Sequence, residues 1–149
     1  VQSHTTMEME GMASLGRMPH PLAMTAPPGH PLSSEDWPWI SEIELCLRDQ
    51  ETEHVVIAYL DRRDDMLDMR VEQGSHSALL LPLRDILRDV LDKDPASIVL
   101  AHNHPSGSPM PSAADKRATQ SLCAMLRPIG VRLADHLIFA GKSRVSLRD

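Results

Sequence analysis

The sequence predicts a mixed α/β domain, a mixed β-sheet flanked by helices, preceded by a flexible tail. Three observations predict it. The chain has 149 residues, enough for one compact domain and too few for two comfortable ones. Hydrophobic residues make up 42% and charged residues 24%, the balance of a chain that folds rather than one that stays disordered. Along its length, helix-spaced apolar stripes alternate with short β-rich runs, in the order helix, hairpin, helix, strand, helix, hairpin. No internal repeat interrupts that order. Aromatic residues amount to 3%, namely Trp37, Trp39, Tyr59 and Phe139, so the core must rest on Leu, Ile, Val and Met.

Residues 1–32 hold five of the nine methionines and five of the twelve prolines. Prolines this frequent remove backbone donors and bar regular structure, which makes residues 1–34 a flexible tail and residues 35–149 the folded domain. His4, His20 and His30 in that tail share no tight ligand spacing and read as solvated side chains. Ser33 or Ser34, followed by Glu35 and Asp36, has the form of a helix N-cap with acids on the positive end of the helix dipole. Ile40, Ile43, Cys46 and Leu47 then fall near a 3.6 period over 37–48. The run HVVIAYLD (54–61) reads as a buried strand. A polar turn at 62–65 leads into the alternating segment 66–72, its hairpin partner, which Gly74 ends.

Over 81–94, Leu83, Ile86, Leu87, Val90 and Leu91 form one helical stripe, stopped by Pro95. SIVLAH (97–102) is a second buried strand. A Pro/Gly/Ser loop precedes a helix over 112–130, with Ser112 at its cap, Leu122, Met125 and Leu126 facing inward and Gly130 just past its end. Strands at 131–141 and 144–148 turn around Gly141 and Lys142.

Charge and cysteine content exclude several functions. The net charge is −6, with −5 of it in residues 1–44, so the remainder is nearly neutral and lacks the basic field that phosphate backbones require. Few aromatic rings also argue against single-strand binding by base stacking. Direct nucleic-acid binding is therefore not expected. Cys46 and Cys123 form no CxxC and read as core residues in a reducing compartment. No apolar run reaches the roughly 18 residues of a membrane span, and the start lacks the basic and apolar blocks of a secretory signal. The expected location is the cytoplasm, with no membrane partner.

The stretch that carries chemistry is His102-Asn103-His104-Pro105-Ser106-Gly107-Ser108-Pro109-Met110-Pro111-Ser112-Ala113-Ala114-Asp115. Side chains at i and i+2 of a strand share a face, about 6.6–7 Å apart at Cα, so His102 and His104 can converge on one cation. Pro105 and Gly107 turn the chain, and Asp115 falls in the first turn of the next helix, where its carboxylate can reach the histidines. Ser112 and Asp115 also suit a capping box, which is compatible with ligation. Two imidazoles and one carboxylate leave a zinc ion a fourth position for water, the arrangement of a catalytic site.

This stretch resembles the metal signature of the JAB/MPN (JAMM) metalloprotease fold in its bacterial RadC-like branch. Leu133-Ala134-Asp135-His136-Leu137-Ile138, Val145-Ser146-Leu147 and Pro82-Leu83-Arg84-Asp85-Ile86 are similar to that branch too, and the resemblance covers residues 45–149. It implies a JAB/MPN-like domain with cytidine-deaminase-like layering. It also implies that His102, His104 and Asp115 hold Zn2+, and that Ser112 steadies the tetrahedral intermediate. It further implies a glutamate beside the metal-bound water, best matched by Glu53, with Glu51 and Glu72 as rivals. The chemistry has the same need on its own terms, since the water requires an unligated base. Leu83-Arg84-Asp85 departs from the branch's Pro-Arg-Glu, and Val55 stands where it carries phenylalanine. The Met/Pro tail stands where the branch usually carries a helical domain.

The resulting expectation is a zinc-dependent hydrolase, a metallopeptidase or isopeptidase, acting on a peptide or protein and with room for a homodimer. The alternative is a non-catalytic module serving DNA repair or recombination assemblies. His136 is read as structural, paired with Asp135 or the backbone, with support of the metal site as the alternative. His54 and His76 read as ordinary residues. Arg84 and Arg88 read as a solvated helix face, with a substrate carboxylate as the alternative.

Overall fold

The run His54–Leu60, which carries the β-formers Val55, Val56, Ile57 and Tyr59, forms strand β1, buried from Val55 onward. The computed structural model describes residues 37–74 and 81–147; the tail, the serines 33 and 34 and His76 lie outside them. A turn joins β1 to β2 (Met66–Gln73). There Asp61 Oδ1 accepts the backbone N–H groups of Arg63 at 2.7 Å and Asp65 at 3.0 Å. Strand β3 (Ser97–Asn103) is buried along its whole length. Strands β4 (Arg132–Ala140) and β5 (Ser143–Ser146) close the chain. The sheet runs β2-β1-β3-β4-β5. Only β3 and β4 pair in parallel; the other neighbours are antiparallel. The mixed sheet expected from the sequence is thus observed.

A strand buried on both faces needs cover on both. Helix α1 (Trp39–Leu47) packs Trp39, Ile40, Ile43 and Leu47 onto Val56, Ala58, Val99, Ala101 and Leu137. On the opposite face, α2 (Leu83–Lys93) and α3 (Ala113–Leu126) pack Ile86, Val90, Ala118, Leu122 and Leu126 onto Val55, Ile57, Tyr59, Ile98 and Leu100.

Five local features correct or refine the sequence expectation. Helix α1 starts at Trp39 behind Pro38, with no side-chain cap. In α2, Leu91 is 72% exposed and leaves the apolar stripe. Its inward place is taken by Asp89, which accepts from the Tyr59 hydroxyl at 2.8 Å and Arg70 Nε at 2.6 Å. That pairing turns the buried face toward 86, 89 and 90. The same helix ends on Asp94, in the left-handed conformation at φ 47°, one residue before Pro95. In α3 the buried face runs through 115, 118, 122 and 126. Cys123, one step around the helix from Leu122, is therefore exposed rather than in the core, while Cys46 is half-buried. Finally, α3 gives way at Arg127–Ile129 to a 3-10 turn containing Pro128, closed by Gly130 at φ 74°.

Candidate metal centre

The β3–α3–β4 crossover builds the site. Because β3 and β4 are parallel, the chain leaves the carboxyl end of β3 and must traverse α3 to return to the start of β4. The end of β3 and the N-terminus of α3 therefore share one end of the sheet. His102, the penultimate residue of β3, is 0% exposed. His104 follows, its backbone N–H held by the Phe139 carbonyl at 2.8 Å. Gly107, at φ 82°, turns the loop. Ser112 then caps α3: its Oγ accepts the Asp115 N–H at 3.1 Å, and its own N–H donates to Asp115 Oδ2 at 2.6 Å. The expected capping box is present, and it aims the Asp115 carboxylate back toward β3.

The ligand atoms of His102, His104 and Asp115 all lie within 4.8 Å of one another. His102 Nε2 is 3.0 Å from His104 Nε2 and 3.1 Å from Asp115 Oδ1. His104 Nε2 is 3.4 Å from Asp115 Oδ2. Tetrahedral bonds of about 2.0–2.1 Å place ligand atoms roughly 3.4 Å apart, so these separations fit one small cation. The donor chemistry fits as well. His104 Nδ1 faces the Ser108 carbonyl at 2.8 Å and so carries the ring proton, leaving Nε2 a bare acceptor when the ring is neutral. Lone pairs and carboxylate oxygens crowd together here. A proton relieves one contact, whereas a divalent cation relieves all of them.

Glu53 stands just before β1. The antiparallel register sets Val55 opposite His102, so Glu53, two residues earlier, starts on the same sheet face, at the end where His104 emerges. It is not one of the three grouped ligands. Its backbone is pinned on two sides. Asn103 Oδ1 accepts the His54 N–H at 2.6 Å, and Asn103 Nδ2 donates to the Thr52 carbonyl at 3.0 Å. Across the hairpin the Gly74 N–H donates to the Glu53 carbonyl at 2.7 Å. A Cβ at Gly74 would stand 3.2 Å from that same oxygen, which explains the glycine. Of the rival acids, Glu51 is exposed, and Glu72 accepts from Arg70 at 2.9 Å. Arg88 bonds Asp85 on the exposed face of α2.

His136 is 1% exposed, and its side chain does not pair with Asp135. That carboxylate accepts the His136 backbone N–H and the Ser146 hydroxyl. The ring instead touches the ligand set: Nε2 lies 2.9 Å from His102 Nδ1, and Nδ1 lies 2.6 Å from Thr119 Oγ1. Burial, with the neighbouring histidines, pushes His136 down to about 3, so the ring is neutral. Thr119, Asn103 and the Ser108 carbonyl were not singled out from the sequence. Thr119 carried a signal, since it follows Asp115 by four residues on the same helix face. A groove of about 660 Å³ opens beside His104, between the end of α1 and the Gly141–Lys142 turn.

The sequence model of a family described as "RadC-like JAB domain" matches residues 39–149. Among similar curated proteins, a UPF0758 protein of Bordetella avium is 38% identical over 105 residues, covering 70% of this chain and 47% of its own length. A UPF0758 protein of Herminiimonas arsenicoxydans is 37% identical over 108 residues, with coverage of 72% and 48%. One from Methanosarcina mazei is 34% identical over 104 residues, with coverage of 69% and 45%. The chain thus spans about half the length of the curated relatives it matches.

Proposed function

The chain belongs to the family of RadC-like JAB domains, and from that membership and the convergence of its ligand atoms we propose that it is a zinc-dependent hydrolase cleaving an amide bond in a peptide or protein. The observation that carries this reading is the cluster of His102 Nε2, His104 Nε2 and both Asp115 oxygens at 3.0–3.4 Å. Three protein ligands are the number found where zinc keeps a position for chemistry. When bound, zinc would polarise the scissile carbonyl and make water a nucleophile at neutral pH.

The chain's own residues supply the proton transfers. Glu53, unligated and on the same sheet face, takes the proton of the attacking water and returns it to the leaving amine. Ser112, whose hydroxyl oxygen accepts the Asp115 N–H, turns its proton toward the oxygen on which charge develops. Direct contact with nucleic acid is no part of this reading, given the net charge of −6.

Purified protein loaded with zinc and incubated with a peptide library tests the reading by mass spectrometry of the products. The wild type should cleave. Glu53→Gln should keep its zinc and lose about 10²- to 10⁴-fold in rate, whereas His102→Ala should lose both zinc and cleavage. Equal rates for the wild type and Glu53→Gln would remove Glu53 as the base. A zinc-loaded wild type that cleaves nothing would favour the binding module instead.

A further inference from the structure

We propose that His136 and Thr119 are positioning residues that fix the ring proton of His102 on Nδ1 and so present its Nε2, as a lone pair, to the metal. The inference rests on the metal reading and adds to it the device that sets one ligand's tautomer.

The hydrogen bonds dictate the direction of each proton. The Thr119 hydroxyl donates to the Asp115 main-chain carbonyl at 2.8 Å, an acceptor that can play no other part. With its proton committed there, Thr119 Oγ1 can only accept from His136, whose Nδ1 lies 2.6 Å away. His136 is 1% exposed and its ring meets a hydroxyl and an imidazole, neither of which balances a buried charge; it carries one proton, on Nδ1, which leaves Nε2 as an acceptor. His102 Nδ1, 2.9 Å from that atom, must donate to it. Nothing is left on His102 Nε2 but a lone pair, aimed at His104 and Asp115.

The chain begins and ends on ligands. It starts at the carbonyl of Asp115 on α3, crosses Thr119 to His136 on β4, and reaches His102 on β3. Ligating histidines ordinarily donate their second N–H to a carboxylate, carbonyl or water. Here the acceptor is a second imidazole, which can accept only while Thr119 holds its other nitrogen in the donor state. The chain also ties α3 to the parallel pair of strands, so the two sides of the site are aligned by the bonds that set the tautomer. His104 is set separately, by the Ser108 carbonyl.

The test compares zinc affinity, by competition with a chromophoric chelator, and the visible spectrum of the Co(II)-substituted protein across four proteins. These are the wild type, His136→Phe, His136→Gln and Thr119→Val. His136→Phe fills the space without an acceptor and should weaken zinc binding about 10- to 100-fold, with an altered Co(II) spectrum. His136→Gln can offer a carbonyl oxygen to His102 Nδ1 and should recover most of that loss. Thr119→Val frees His136 to take the other tautomer and should weaken binding in the same direction by a smaller factor. If His136→Phe fails to fold, Thr119→Val and the ring-nitrogen NMR shifts of the wild type decide. Those shifts should place the protons of His102, His104 and His136 on Nδ1, and a proton on Nε2 of His136 would overturn the proposal. Wild-type affinity in both His136→Phe and Thr119→Val would overturn it as well. A wild type that takes up no zinc fails differently, since it removes the metal reading on which this one stands.

Discussion

At the scale of single residues, the two histidines of the His-x-His pair are separated by a residue with its own task. Asn103 points to the opposite face from His102 and His104, as alternation along a strand requires. It pins the chain before β1 through the His54 N–H and the Thr52 carbonyl. Asn103→Leu keeps the branched shape but leaves those partly buried groups without partners, at a cost of about 1–3 kcal/mol. Urea denaturation should show that loss, and a zinc titration should show affinity close to wild type, while cleavage falls because Glu53 is no longer held. A parallel loss of zinc affinity would mean that Asn103 acts through the ligands instead. The sequence made the ligands legible because strand alternation, a Pro/Gly turn and a capping box constrain short-range geometry strongly. Asn103 and Thr119 escaped notice because their partners lie 49 and 17 residues away, and only strand register brings such pairs together.

At the scale of elements, helices and strands were placed by their periodicity, and the errors fell where polar pairing redirected a face. Leu91 belongs to an apolar stripe by spacing, yet α2 turns Asp89 inward because Arg70 and Tyr59 on the sheet meet it. No pattern within the helix alone reveals those partners. Cys123 likewise reads as apolar but lies one step off the inner face of α3. The Asp89 pairing has a pH signature. Hydrogen bonding from Arg70 is the leading cause; the Tyr59 hydroxyl adds to it, burial opposes both, and the carboxyl is lowered from 3.8 to about 2. The folded state thus favours the ionised carboxylate. Its contribution is fully present above about pH 4 and is lost as the pH falls through 2. Urea midpoints measured between pH 2 and 5 should fall on acidification, and Asp89→Asn should flatten that fall. An unchanged slope in the variant would place the acid sensitivity elsewhere.

At the scale of the whole molecule, the order of elements and the mixed sheet were legible, because each element carries its own apolar period and its own stop. Which strands pair in parallel was not. That choice decides where the site lies, since the crossover through α3 brings the end of β3 and the start of α3 to one end of the sheet. It also delivers His136 on β4 beside Leu100, one strand away from His102. Among the described residues no helix is long and apolar enough to cross a membrane. The architecture places two imidazoles and one carboxylate around a single point, and everything proposed about catalysis depends on a cation at that point. Anomalous diffraction at the zinc edge, from crystals of the full chain grown with zinc, tests this most directly. The result predicted is one strong peak per chain within bonding distance of His102 Nε2, His104 Nε2 and the Asp115 carboxylate, absent from Asp115→Ala crystals. A map with no peak there, or with zinc held by other side chains, would contradict the account.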